Sequence, residues 1–298
     1  MEFQAHNAEN RDIFFGSTLS GESCRGILVG IPYEGRVNSR KGANLGPQGI
    51  REGSQCMESF SLQARKDLFQ FGLQDLGDLS LSPGDPQSVL TGVEGDVRAL
   101  VDRHSQSSPP QKLVFLGGDH CVTLPVVRAI HSRYSDLNLV HLDAHFDLQD
   151  HYLEESFSHA GVIRRISEFL PPGRIHQFGI RAGTEEEVRF FQKHGSVFSD
   201  PGTAFEEALA ALVDRLQGCP VYVTIDIDVL DPSAAPGTGN PEICGLTVSE
   251  LVEGLLALSP LQIAGFDLVE VSPPLDPSGR TAITAAQIIR ECVLHWWG

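Results

Sequence analysis

Four short apolar runs in this chain stop abruptly in carboxylates or histidine, and this recurrence restricts the fold more than any other feature. Residues 112–116 run into Gly117-Gly118-Asp119-His120, and residues 139–142 run into Asp143-Ala144-His145-Phe146-Asp147. Residues 221–225 end in Asp226-Ile227-Asp228, and residues 263–269 end in Glu270. Runs this continuous in Val, Ile and Leu suit strands buried on both faces. Further strands are expected at 26–31, 69–76, 174–181 and 196–198. Helices are expected at 47–56, 86–104, 122–134, 159–169, 185–194, 204–217, 247–258 and 281–295. Strands alternating with helices of ten or more residues make βαβ units. The expected fold is α/β: a single three-layer α/β/α domain spanning residues 1–298, with a mostly parallel sheet of about eight strands. Neither an internal repeat nor a linker divides the chain.

Ligands of such sheets bind beyond the carboxyl ends of the strands. Asp119-His120, Asp143/His145/Asp147, Asp226/Asp228 and Asp267/Glu270 are all expected there, so they can converge on one edge. Asp143, His145 and Asp147 are spaced i, i+2, i+4, which in extended backbone sends three side chains to one face. Two carboxylates and an imidazole pressed together are costly unless something offsets the charge. Taken alone, Asp-x-His-x-Asp fits a solvated turn as well as a site for manganese, zinc, iron or nickel. Taken together, His120, Asp143, His145, Asp147, Asp226 and Asp228 are too many ligands for one tetrahedral ion. They suit two divalent cations bridged by carboxylates and hydroxide, typically ~3.5–4 Å apart.

Charge and cysteine usage narrow the partners. With 22 Lys and Arg against 39 Asp and Glu, the formal net charge is −17, which disfavours nucleic acid and attracts cations or a cationic small molecule. The six cysteines include no Cys-x-x-Cys pair, as in a reducing compartment. The first residues are polar and no apolar run reaches the ~20 residues of a membrane span, so a cytoplasmic protein without a membrane partner is expected.

The motifs Gly117-Gly118-Asp119-His120, Asp143-Ala144-His145-Phe146-Asp147, Ser158-His159-Ala160, Asp226-Ile227-Asp228-Val229-Leu230-Asp231-Pro232 and Glu270-Val271-Ser272-Pro273-Pro274 follow one another in the order and approximate spacing of the ureohydrolase (arginase/agmatinase) family, which the chain resembles from Gly30 to Ala282. Pro236-Gly237-Thr238-Gly239-Asn240-Pro241-Glu242 and Ser158-His159 are more similar to agmatinases than to arginases. The resemblance implies an arginase-like fold and two manganese ions, with nickel or cobalt also admitted by the ligand set. One ion would be held by His120, Asp143, Asp147 and Asp226, the other by His145, Asp143, Asp226 and Asp228. A bridging hydroxide would attack the guanidinium carbon, with Asp147 steering it and passing its proton to the leaving amine. Glu270, by itself readable as a solvent-facing loop residue, would anchor the guanidinium. His159, by itself readable as an exposed helix start, would transfer protons or touch substrate. His141 and His151 match no motif and are left without a role. A homo-oligomer, trimer or hexamer, is expected with the resemblance.

Departures concern the substrate end. Cys121 stands where Ser is common, and Asn44 where agmatinases often have Arg. The loop 148–157 is closer to an archaeal type that accepts aminopropyl-extended agmatine, and Glu154 or Glu155 is expected to receive the distal ammonium. The expected reaction is agmatine and water to putrescine and urea. Aminopropylagmatine, guanidinobutyrate or arginine remain alternative substrates, and a non-catalytic metal-binding relative is an alternative of another class. A dimetal phosphoesterase is disfavoured, because the clusters hold acids where phosphate needs basic groups.

Overall fold

The computed structural model describes residues 13–18, 24–35, 40–108, 110–194, 197–198 and 205–298. Part of the loop read at 36–46, residue 196 of a short strand and the first residue of the helix read at 204 lie outside these.

In chain order the elements are β1 (Ser17–Thr18), β2 (Gly26–Ile31), α1 (Gly46–Ser54), β3 (Phe60–Ser61), β4 (Lys66–Asp67), α2 (Leu68–Phe71), β5 (Leu73–Asp78), α3 (Pro86–Ser105) and β6 (Lys112–Gly117). They continue as α4 (Thr123–Arg133), β7 (Asn138–Leu142), α5 (Val162–Ile166), β8 (Ile175–Phe178), α6 (Glu185–His194), β9 (Val197–Phe198) and α7 (Phe205–Leu216). The last are β10 (Pro220–Asp226), α8 (Val248–Ala257), β11 (Gln262–Val269) and α9 (Arg280–Trp296). Nine strands form one sheet in the order β1-β5-β2-β6-β11-β10-β7-β8-β9, and every pairing in it is parallel. The expected parallel α/β/α architecture is therefore present. The ninth strand is β1, two residues long at the sheet edge, too short to leave a periodic signal.

Parallel crossovers are right-handed, so the direction of travel across the sheet decides which face a helix covers. The connections carrying α3, α4, α5 and α6 move one way, and those four pack their apolar residues on one face around Phe115, Leu139 and Ile175. The chain then reverses after β9 and inserts β10 and β11 between β7 and β6. The helices of the returning connections, α7 and α8, lie on the opposite face with α1 and α9, around Leu116, Val223 and Phe266. With both faces covered, β2, β7 and β10 are buried along their whole length. The reversal makes β6-β11-β10-β7 the four central neighbours, and these are the strands that end in carboxylates and histidine.

Three expectations change in detail. The helix read at 159–169 is a single tight turn, His159–Gly161, followed by the five-residue α5. The strand read at 69–76 is a short helix followed by β5. Asp67 caps α2 by accepting from the Phe69 amide at 2.9 Å, and Gly72 ends it at φ 77°, a left-handed turn that glycine adopts without strain. Asp267 is not at a strand end but inside β11, fully buried. Trp296 and Trp297 pack on Phe266 at centroid distances of 5.2 and 5.5 Å, fastening the C-terminus to the core.

Candidate metal centre

Beyond the carboxyl ends of the four central strands, the six expected ligands meet. His120 follows β6 in the turn where Asp119 Oδ1 accepts from the Cys121 amide at 2.8 Å. Its Nδ1 lies 3.0 Å from Asp143 Oδ2, 3.2 Å from Asp147 Oδ2 and 3.3 Å from Asp226 Oδ2. His145 Nδ1 lies 3.0 Å from Asp228 Oδ2 and 3.4 Å from Asp143 Oδ1. The side chains thus fall into two groups, one around each histidine, and Asp143 faces both through its two oxygens.

The local backbone explains how. β7 ends at Leu142, so simple alternation does not carry the i, i+2, i+4 residues to one face. Asp143 and Asp147 turn towards His120 while His145 turns towards Asp228. Asp147 reaches its place through φ 53°, and Glu270 has φ 64°. Left-handed backbone at residues other than glycine costs ~1–3 kcal/mol, and such strain clusters at functional sites. Hydrogen bonds hold both residues: Arg164 N donates to Asp147 O at 3.0 Å, and Glu270 N donates to Gly118 O at 2.8 Å.

Electrostatics point the same way. Asp143, Asp147, Asp226 and Asp228 are all buried. Burial and then the charge of its neighbour Asp228 push Asp226 well above the usual carboxylate range. Burial and the Asp143 charge raise Asp147 and Asp228 as well. Burial alone would raise Asp143 too, but His141, His120 and His145 outweigh it and hold it well below the ordinary value. His145 is opposed by burial yet driven up to about 12 by Asp143 and Asp228. Carboxylates this crowded and this dry call for positive charge beyond the three imidazoles of His120, His141 and His145. His120 Nδ1 is buried with no hydrogen-bond partner among the described residues, although three carboxylate oxygens surround it. An imidazole nitrogen facing three carboxylate oxygens is the donor set of a divalent cation, so the residues fit the metals expected of them.

A cavity of about 420 Å³ opens above this cluster. His145, Asp147, Asp226 and Asp228 form its floor, and Glu270 and His159 also line it. Glu270 Oε1 accepts from the backbone amide of His120 at 2.7 Å. Burial and the charge of Asp119 push Glu270 up to about 8. His159 Nδ1 is 3.6 Å from Asp119 Oδ2, and the Tyr152 ring stands edge-on to its imidazole with centroids 4.9 Å apart. Burial opposes charge on His159, but Asp119 carries it up to about 9.

The sequence matches the arginase family over residues 25–295. The chain belongs to the arginase family. An agmatinase from Bacillus subtilis is 39% identical over 286 residues, covering 95% of each chain. An N(1)-aminopropylagmatine ureohydrolase from Thermococcus kodakarensis is 36% identical over 271 residues, covering 90% of this chain and 89% of its own. The crystal structure of agmatine ureohydrolase of Thermoplasma volcanium superposes with a TM-score of 0.84 at 29% identity, covering 96% of this chain and 94% of its own.

Three features of this arginase-family chain were only partly legible in its sequence. His141 is fully buried, and its Nε2 is 2.8 Å from Asp143 Oδ2. Its shared parity with Asp143 was the available signal. Tyr152 and Asn240 line the cavity, whereas Glu154 is exposed and lies outside the lining. Glu155 lies outside it too, its Oε1 accepting from the Ser156 amide at 3.1 Å. The expectation that one of these two acids receives the distal ammonium does not match this placement; the tight turn pairing Tyr152 with Glu155 turns Tyr152 inward instead. Arg181, also unremarked in sequence, donates to the carbonyls of Asp228 at 2.7 Å and Glu242 at 2.9 Å. It thereby ties the loop carrying Asp228 to the loop that walls the cavity.

Proposed function

We propose that this chain hydrolyses the guanidinium group of agmatine, releasing putrescine and urea, at a centre of two divalent cations with manganese as the working metal. The observation that carries the proposal is the buried Nδ1 of His120, without a hydrogen-bond partner among the described residues and facing three carboxylates, two of which, Asp147 and Asp226, line a cavity that also reaches Glu270. His120, Asp143, Asp147 and Asp226 would hold one ion, and His145, Asp143, Asp226 and Asp228 the other. Two such ions supply a hydroxide near neutral pH and a template that orients it.

The chain's own residues do the remaining work. Glu270 receives the guanidinium through paired charge-assisted hydrogen bonds, which fixes the planar carbon above the ligand cluster. Asp147 takes a proton from the attacking water on a carboxylate oxygen and delivers it to the leaving nitrogen. His159, with Nδ1 turned to Asp119, offers Nε2 as the proton carrier between cavity and bulk water. Tyr152 and Asn240 close the wall above, excluding water from the carbon under attack. A cytoplasmic homo-oligomer, trimer or hexamer, belongs to the same reading, and light scattering on the purified protein tests the assembly.

The deciding experiment measures urea release from agmatine, aminopropylagmatine, guanidinobutyrate and arginine by protein reconstituted separately with manganese, nickel and cobalt. The expected result is the highest kcat/KM for agmatine with manganese. Preference for the aminopropyl compound would move the substrate to that of the Thermococcus relative while keeping the chemistry. Absence of urea from every guanidine with every metal would overturn the proposal.

A further inference from the structure

One layer below the ligands, strand register lines up a row of polar side chains in the middle of the sheet. Gln177 on β8 pairs with His141 on β7, His141 with Thr224 on β10, and Thr224 with Asp267 on β11. All four are buried with exposures of 0%. Buried polar groups are expensive unless hydrogen-bonded, and a fully apolar layer would pack here as well as it does elsewhere in these strands. The row therefore needs a reason, and its contacts run to a ligand. His120 Nε2 lies 2.9 Å from Thr224 Oγ1. Thr224 Oγ1 lies 3.2 Å from Thr123 Oγ1. Thr123 Oγ1 donates to Asp267 Oδ2 at 3.0 Å, and the Tyr222 hydroxyl donates to the same oxygen at 2.9 Å.

We propose that Thr224, Thr123 and Asp267 are positioning residues for His120, forming a one-way hydrogen-bond relay that keeps the imidazole proton on Nε2 and leaves Nδ1 bare for a cation. The inference rests on the dimetal reading of the site and adds what sets the tautomer of its most buried histidine.

The direction follows from counting hydroxyl protons. A threonine hydroxyl has one proton to give. Thr123 gives its proton to Asp267, so towards Thr224 it accepts. Thr224 gives its proton to Thr123, so towards His120 it accepts. Nε2 must then carry the hydrogen, and a neutral imidazole has its lone pair on Nδ1, where the three carboxylates converge. The protonation of Asp267 does not alter this order. Its Oδ1 has no hydrogen-bond partner among the described residues, so a proton there leaves Oδ2 accepting as before. On the other side of the same row, Gln177 Nε2 lies 3.0 Å from His141 Nδ1. By the same logic this aims the His141 Nε2–H at Asp143. Ligands oriented in this manner are the general case in metal sites, and losing the orienting partner weakens metal binding by ~10- to 100-fold.

The test compares Thr224→Val, which removes the hydroxyl at nearly constant shape, with Thr224→Ser, which keeps it. Each full-length protein is stripped of metal and titrated with manganese alone, and free ion is followed by electron paramagnetic resonance. The expected result is ~10- to 100-fold weaker binding of one of two ions in the valine variant, with the serine variant within threefold of wild type. Wild-type affinity for both ions in the valine variant overturns the relay. Failure of the unsubstituted protein to bind manganese at all would sink the dimetal reading instead, which separates the two. A second measurement needs no substitution: in zinc-loaded protein labelled with 15N-histidine, the Nε2 hydrogen of His120 is expected at the downfield shift of a hydrogen-bonded imidazole N–H, as donor to Thr224 Oγ1. A shift typical of an imidazole N–H without an acceptor would overturn the proposal even if the valine variant does not fold.

Discussion

Replacing Glu270 with glutamine isolates one charge in the proposed chemistry. The carboxylate is buried, accepts from the His120 amide through Oε1, and lines the cavity above the ligand cluster. Glutamine keeps the shape, the same left-handed backbone and a carbonyl oxygen for the His120 amide. Only the charge and one of the two acceptors offered to a guanidinium are lost. Hydrogen bonds involving charged groups contribute ~1.5–3 kcal/mol each, against ~1 kcal/mol for a neutral one. Two charged bonds exchanged for one neutral bond therefore lose ~2–5 kcal/mol. At ~1.4 kcal/mol per tenfold, kcat/KM for agmatine should fall by ~30-fold to several thousandfold. If the carboxylate also holds the carbon in line during attack, kcat falls along with kcat/KM. The assay is urea release at saturating manganese, with bound metal counted in parallel. Glu270→Gln should retain two ions, because the ligands keep their contacts. Glu270→Ala should lose metal affinity as well, since it strands the buried His120 amide. A Glu270→Gln enzyme carrying two ions and working within threefold of wild type would refute the anchoring role.

The remaining expectations are simpler. Asp147→Asn and Asp228→Asn should each abolish urea release without unfolding the chain; circular dichroism and turnover together check this, and near-normal rates in either would refute the dimetal assignment. Arg51 is buried and reaches Asp75 at 2.8 and 2.9 Å and Asp78 at 2.5 Å. Arg51→Met should cost ~3–5 kcal/mol in denaturant unfolding, because it leaves buried acid charge unpaired. Burial and then the charge of Arg215 press His176 down to about 4 from an ordinary 6.5. The unfolded chain gains a proton first as pH falls, so the stability this residue contributes is complete above pH 6.5 and declines as pH falls towards 4. The loss is ~2 kcal/mol by pH 5. His176→Gln should flatten that part of the unfolding curve, and an unchanged slope would contradict the burial argument.

The fold was legible because a parallel sheet writes itself plainly. Continuous runs such as residues 221–225 and 263–269 are what burial on both faces demands, and the helices between them are long enough for their apolar periodicity to register. What escaped was short or capped. β1 is two residues held by pairing with β5. The 68–71 helix hid inside an apolar stretch because its boundaries are an Asp67 side-chain cap and the left-handed Gly72, not a change of hydrophobicity.

The site divides along a different line. Residues that follow a strand, such as His120, Asp143 and Asp228, announce themselves because a carboxylate or imidazole is out of place after an apolar run. Residues within a strand do not. Thr224 sits inside Pro220–Asp226, where a lone threonine is unremarkable for its propensity, and Asp267, inside Gln262–Val269, reads as belonging with Glu270 at the strand end. Their meaning arises only when β10 is inserted between β7 and β11, an arrangement fixed by the chain's reversal after β9. Register then places His141, Thr224 and Asp267 side by side. A shift of one residue in β10 would turn Thr224 to the opposite face of the sheet and bring Val223 or Ile225 beneath His120. The polar row therefore constrains strand pairing as well as the histidine tautomer. An apolar replacement at 224 should be felt in metal affinity before it is felt in stability, because an apolar residue fits the core but cannot orient the imidazole.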